Sequence, residues 1–124
     1  MYKEMPDSWV NGLAGKDASA QDFSGYDLTE INLQGSICRG CSFRDSMIAW
    51  ANLSFADFTD ADFTDAMISE TDLRNSCFEN AIMTNAWLIP VLAVPEQFTK
   101  SIGFPSCNAN LYDPRTEPKK SEDD

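Results

Sequence analysis

The sequence predicts a solenoid, a tube of stacked coils, and the main reason is a five-residue repeat. Apolar residues occupy every fifth position of residues 23–88, and in a chain that is 43% hydrophobic such a run has a chance on the order of 10⁻⁵. Small residues recur two positions before these centres, and Asp or Asn often comes one position before them. Neither a helix of period 3.6 nor a strand of period 2 explains this spacing. The repeat centres are Phe23, Leu28, Leu33, Cys38, Phe43, Ile48, Leu53, Phe58, Phe63, Ile68, Leu73, Phe78, Met83 and Leu88.

A narrow tube explains why a small and a large apolar side chain recur two positions apart. Both can point into the tube, while the other positions of the repeat face solvent. Stacked coils pair their backbones with the coils on either side and bury apolar surface that a single repeat would expose. In the stretch ADFTDADFTD the phenylalanines are therefore expected inside and the aspartates outside.

The pentads ANLSF, ADFTD and TDLRN resemble those of pentapeptide-repeat proteins. The resemblance covers about residues 21–90 and implies an all-β fold, a right-handed quadrilateral parallel β-helix with four pentads per coil. At that spacing the segment makes about 3.5 coils, and residues one coil apart stack in columns. We expect an N-terminal cap in residues 1–20, the β-helix in 21–90, and a C-terminal cap with a flexible acidic tail in 91–124. The repeat is expected to stop at Pro90.

The composition of the 124-residue chain argues against several function classes. Twenty acidic and nine basic residues give a net charge of -11, so nucleic acid is not expected to bind directly and a basic partner surface fits better. There is no histidine, no Gly-x-Ser-x-Gly motif and no glycine-rich phosphate loop, so we expect no enzyme, no cofactor and no metal site. No apolar stretch is long enough for membrane insertion, and without a visible targeting segment the cytoplasm is the expected location, although a trimmed chain would look the same.

One outward column of the predicted tube is apolar where the repeat favours Asp or Asn. It reads Met47, Met67 and Trp87, and Trp50 and Phe55 lie close to it. Exposed apolar patches with Trp and Met are typical of interfaces, so these five residues form the predicted partner-binding surface. Three interpretations stay open: cover by residues 91–124, a self-dimer, or a different protein partner.

An alternative function follows from the acidic residues and the resemblance. Asp57, Asp60, Asp62 and Asp65 form a band around one coil. Some pentapeptide-repeat proteins protect or inhibit DNA gyrase by imitating the shape and charge of B-DNA, which would make gyrase or another topoisomerase the partner. A tube of 3.5 coils is only about 17 Å long, about five base pairs, so this alternative requires end-to-end dimers.

The four cysteines are expected to divide between core and surface. Cys38 and Cys41 fall on inward positions and are interpreted as ordinary core. Cys77 points outward and Cys107 lies beyond the repeat, so these two are a candidate disulfide whose distance the sequence does not determine.

Overall fold

The fold is an all-β, right-handed quadrilateral parallel β-helix, seen in a computed structural model that describes residues 1–105 and 108–115. Every strand pairing in it is parallel, and paired residues on successive coils are twenty positions apart, as in Met47 with Met67. The regular elements are β1 (Lys3–Glu4), α1 (Asp7–Gly12), β2 (Tyr26–Asp27), β3 (Met47–Ala49), β4 (Met67–Ser69), β5 (Thr71–Asp72), β6 (Trp87–Leu92), a 3₁₀ helix (Pro95–Phe98) and β7 (Ala109–Tyr112).

Backbone hydrogen bonds between coils hold the tube together. The N–H of Phe23 donates to the carbonyl of Ser42 at 2.7 Å, and Phe43 repeats this bond to Asp62 at the same distance. Single bridges such as Asp17 with Ile37 continue the ladder between the short strands. Because the ladder satisfies the backbone groups of neighbouring coils, the tube needs few long strands.

The core is a set of stacked aromatic and aliphatic columns, as the sequence predicted. The rings of Phe23 and Phe43 lie 4.9 Å apart, and those of Phe43 and Phe63 lie 4.7 Å apart in near-parallel planes. At the N-terminal end, Trp9 of α1 packs edge-on against Phe23 at 4.9 Å. The first coil therefore has an aromatic cover rather than an open end.

The solenoid is longer than the sequence suggested, with about five coils rather than 3.5. The expectation that the repeat stops at Pro90 was wrong, because the carbonyl of Pro90 still accepts the N–H of Glu70 at 2.6 Å. Five-residue steps from Leu88 reach Ala93 and Phe98, which are both buried. The division into caps and repeat stays a prediction. Among the described residues, no helix is both long and apolar enough to cross a membrane.

Truncating a core ring should cost far more than truncating an exposed one. Phe63 is fully buried between neighbouring rings, so Phe63→Ala should lower the free energy of unfolding by about 3–5 kcal/mol. Phe55, 61% exposed, is the matched control, and Phe55→Ala should change it by about 0.5 kcal/mol or less. Urea denaturation followed by circular dichroism measures both, and equal losses would contradict the assigned core.

Candidate functional site

The corners of the coil impose a backbone rule on the surface. The residue two positions after each centre from residue 23 to 83 has a positive φ, the left-handed region that Gly, Asn and Asp tolerate best. Type II turns require this conformation at their third residue. Most corners accordingly carry Gly, Asn or Asp, and those that do not are Ala20, Glu30, Trp50, Phe55 and Glu70.

Trp50 and Phe55 are unusual because bulky side chains rarely adopt this conformation. Their φ angles are 54° and 58°, and an L-residue there carries a backbone cost of about 1–2 kcal/mol. Burial does not offset that cost, because Trp50 is 65% exposed and Phe55 is 61% exposed. Folding alone therefore does not explain why aromatic residues occupy these corners.

The predicted apolar column lies on one face of the solenoid, and we call Met47, Met67 and Trp87 the apolar stripe. In β3, β4 and β6, Met47 pairs with Met67, and Met67 pairs with Trp87. Met67 is 43% exposed, Trp87 is 49% exposed, and Met47 is partly exposed. Residues 91–105 and 108–115 build further coils and leave the stripe open.

A groove opens on the next face, with Trp50 on the edge between the groove and the stripe. We call it the corner groove; its volume is about 600 Å³. The apolar lining includes Val91 and Leu92 of β6, and Tyr112 of β7, 52% exposed, also contributes. Pro90 and Pro114 complete the apolar lining. The stripe and the groove together form a surface that turns a corner of the tube.

The corner groove also contains charged groups in two different states. Arg74 is bound to Asp72, with Nη2 at 2.8 Å from Oδ2 and Nε at 3.0 Å from Oδ1. The side chain of Glu70 has no hydrogen bond or ion pair with any residue that the structure describes. The groove therefore combines apolar walls with one uncompensated carboxylate.

Asp57 and Asp62, two members of the acidic band, act as turn caps. Oδ1 of Asp57 accepts the N–H of Thr59 at 3.0 Å and its hydroxyl at 2.6 Å, and Asp62 bonds Thr64 in the same way. Each also pairs with an arginine of the preceding coil, Asp57 with Arg39 at 2.7 Å and Asp62 with Arg44 at 3.1 Å. Such local bonds are typical of Asx turns.

The other two members of the band have a different structural role. Asp60 and Asp65 occupy corners with φ of 64° and 61°, where Asp is among the tolerated residues. Their side chains are exposed and make no ion pair within the described residues. The backbone thus accounts for all four positions, and two of the four charges are paired.

The cysteines and the carboxylates give little sign of chemistry. Cys38 and Cys41 are buried thiols, and the Cys41 thiol donates to the carbonyl of Ala18 at 2.9 Å. Cys77 is an exposed thiol, and the candidate disulfide to Cys107 is untested because Cys107 lies outside the described residues. Among the residues that the structure describes, no group of three His, Cys, Asp or Glu is placed to hold a metal ion.

Comparison with known proteins agrees with the repeat and the fold. Residues 48–85 match the family model of pentapeptide repeats in eight copies. This solenoid with an apolar corner thus belongs to a repeat protein, and its repeats are pentapeptide repeats, as the resemblance implied. No curated protein matches the chain.

Several solved structures of pentapeptide-repeat proteins are similar to this chain. One from the thylakoid lumen of Arabidopsis thaliana is 24% identical, with 62% of this chain and 71% of that chain covered and a TM-score of 0.35. Rfr23 of the cyanobacterium Cyanothece 51142 is 16% identical over 84% of this chain and 85% of its own, with a TM-score of 0.34. QnrB1, a plasmid-mediated fluoroquinolone resistance protein, is 17% identical over 88% and 75%, with a TM-score of 0.27.

Sequence reasoning missed the corner groove. The groove needs Leu92 and Tyr112, which were assigned to a cap beyond the end of the repeat. One signal was available, because Ala93 and Phe98 continue the five-residue step past Pro90. Tyr112 reaches the groove through the pairing of β7 with β6, which no repeat in the sequence indicates.

The two kinds of acidic residue should respond differently to acid. Burial raises the pKa of Asp57 and Asp62, but bonds from Thr59, Thr64 and the two arginines outweigh it and hold both below the ordinary value of 3.8. Their stabilisation is therefore present above pH 3.8 and is lost as the pH falls through the lower folded-state pKa.

A double variant, Asp57→Asn with Asp62→Asn, should flatten the acid limb of melting temperature against pH. It should remain folded, because Asn52 already caps the Ser54 N–H at 3.0 Å. The control, Asp60→Asn with Asp65→Asn, removes the same number of charges and leaves the capping bonds intact. It should keep the wild-type slope; two identical profiles would contradict the assigned capping role.

Proposed function

We propose that the protein is a non-enzymatic interaction module that binds another protein through the apolar stripe, with Trp50 and Phe55 at the adjoining corners. The observation that carries the proposal is the conformation of Trp50, an exposed aromatic residue at a left-handed corner. Its backbone cost is not offset by burial within the chain, so a contact outside the chain is the reason we infer for its presence. Trp and Met are enriched in protein interfaces.

The arrangement of the stripe supports an interface with a rigid partner surface. Met47, Met67 and Trp87 lie on paired strands of successive coils, about 4.8 Å apart, so their positions are set by the backbone ladder. A preformed surface loses little conformational entropy on binding. A second copy of the chain remains one of the possible partners. The expected cytoplasmic location stays a prediction.

The alternative is an acidic DNA mimic that binds DNA gyrase or another topoisomerase, and the net charge of -11 favours it. Two features oppose it. Arg39 and Arg44 neutralise Asp57 and Asp62, which leaves fewer free charges in the band. Five coils span about 24 Å, which corresponds to about seven base pairs, so one chain remains short for a bound duplex.

A photo-crosslinking side chain in place of Met67 tests the proposal. We expect it to form a protein adduct in a lysate of the source cells or with a second copy of the chain. The same group in place of Ile37, an apolar residue that is 40% exposed on another face, should form none. Adding Trp87→Asp to the Met67 probe should reduce the yield several-fold, because it places a charge in the interface. Equal adducts from positions 67 and 37, or none at 67, would contradict the proposal.

A gyrase supercoiling assay tests the alternative. A mimic should inhibit or modulate supercoiling, and Asp60→Asn with Asp65→Asn should weaken that effect, more so at low salt. Phe55→Asn, which changes a corner without changing charge, is the control. No effect of excess wild-type protein on supercoiling would exclude the alternative.

A further inference from the structure

The corner groove has the form of a peptide-binding site more than of a site for a folded domain. Its volume of about 600 Å³ is within the range of about 300–1,000 Å³ that is usual for ligand pockets, which suits a few residues of an extended chain. Trp50 and Tyr112 are among its lining residues, and both rings are more than half exposed. Grooves lined by aromatic rings bind extended proline-containing segments, because such segments are preformed and lose little entropy.

The charge in the groove restricts the chemistry of its occupant. Trp50, Glu70 and Pro90 are equivalent corners of three successive coils, and the coil spacing of about 4.8 Å places the Glu70 carboxylate beside the indole. Arg74 is already bound to Asp72, so the uncompensated charge in the groove is negative. A cation beside Glu70 would gain a charge-assisted hydrogen bond and a cation–π contact with Trp50.

We propose that the corner groove binds an extended segment of the partner protein in which proline or other apolar residues flank one Arg or Lys. The proposal rests on the proposed function, because Trp50 belongs to both surfaces. The apolar residues pack against Tyr112, Pro90 and the exposed part of Leu92, and the basic side chain lies between Trp50 and Glu70. The net charge of -11 attracts the same kind of partner over a longer range.

Binding of labelled synthetic peptides, followed by fluorescence anisotropy, tests this inference. Three matched peptides are used: one with prolines around a single Arg, one with Glu in place of the Arg, and one with Ser in place of the prolines. The Arg peptide should bind at least about tenfold more tightly than the Glu peptide. Replacing the prolines should also weaken binding, because the segment is then no longer preformed.

Charge reversal in the protein provides the complementary test. Glu70→Lys should weaken binding of the Arg peptide about tenfold and strengthen binding of the Glu peptide. Glu79→Lys makes the same change at an exposed residue outside the groove and should change neither affinity. Trp50→Asn should weaken binding of the Arg peptide without lowering the melting temperature, since Asn tolerates the left-handed corner better.

Several outcomes would overturn the inference. These are no saturable binding of the Arg peptide, equal binding of the Arg and Glu peptides, or equal effects of Glu70→Lys and Glu79→Lys. Equally tight binding of a peptide TEPKKSEDD, the sequence of residues 116–124, would assign the groove to the chain's own terminus instead of a partner. The crosslink at position 67 is measured separately, so failure of the groove and failure of the stripe are distinguishable.

Discussion

The left-handed corner is the constraint on which the rest of this structure depends. A quadrilateral coil must change direction after every pentad, and the corner residue makes that change by adopting a positive φ. The turns bring each pentad onto its equivalent in the next coil, where the backbone ladder and the stacked core can form. Core side chains then stabilise a path that the backbone has already set, and outward side chains fall into columns along the tube.

The same constraint separates structural residues from candidate functional ones. The density of aspartate in residues 57–65 suggests a charged binding surface, yet each of these aspartates occupies a position that the turn geometry accounts for. Trp50 and Phe55 depart from the geometry, since their corners favour Gly, Asn or Asp. Departures of this kind, where local preference and observed residue disagree, are expected at functional sites.

The sequence predicted the tube, its four faces and the stripe, because inward and outward positions alternate in a strict five-residue step. It did not predict the pairing of Asp57 with Arg39, since that contact joins residues on different coils. It also ended the tube too early at Pro90, because a missing N–H was taken as an end of the ladder while the carbonyl still served as acceptor. The groove was lost with those final coils, which supply Leu92 and Tyr112.

The quadrilateral geometry also governs which insertions the surface can accept. An extra pentad between Trp50 and Pro90 would keep the core pattern intact and yet rotate every later residue by a quarter turn about the tube axis. Tyr112 would then lie on a different face from Trp50, and the groove would be dismantled without any loss of stacking. Only the insertion or loss of a whole coil preserves the alignment of faces. For this fold, the angular phase of the repeat decides whether distant surface residues meet, and the core is indifferent to it.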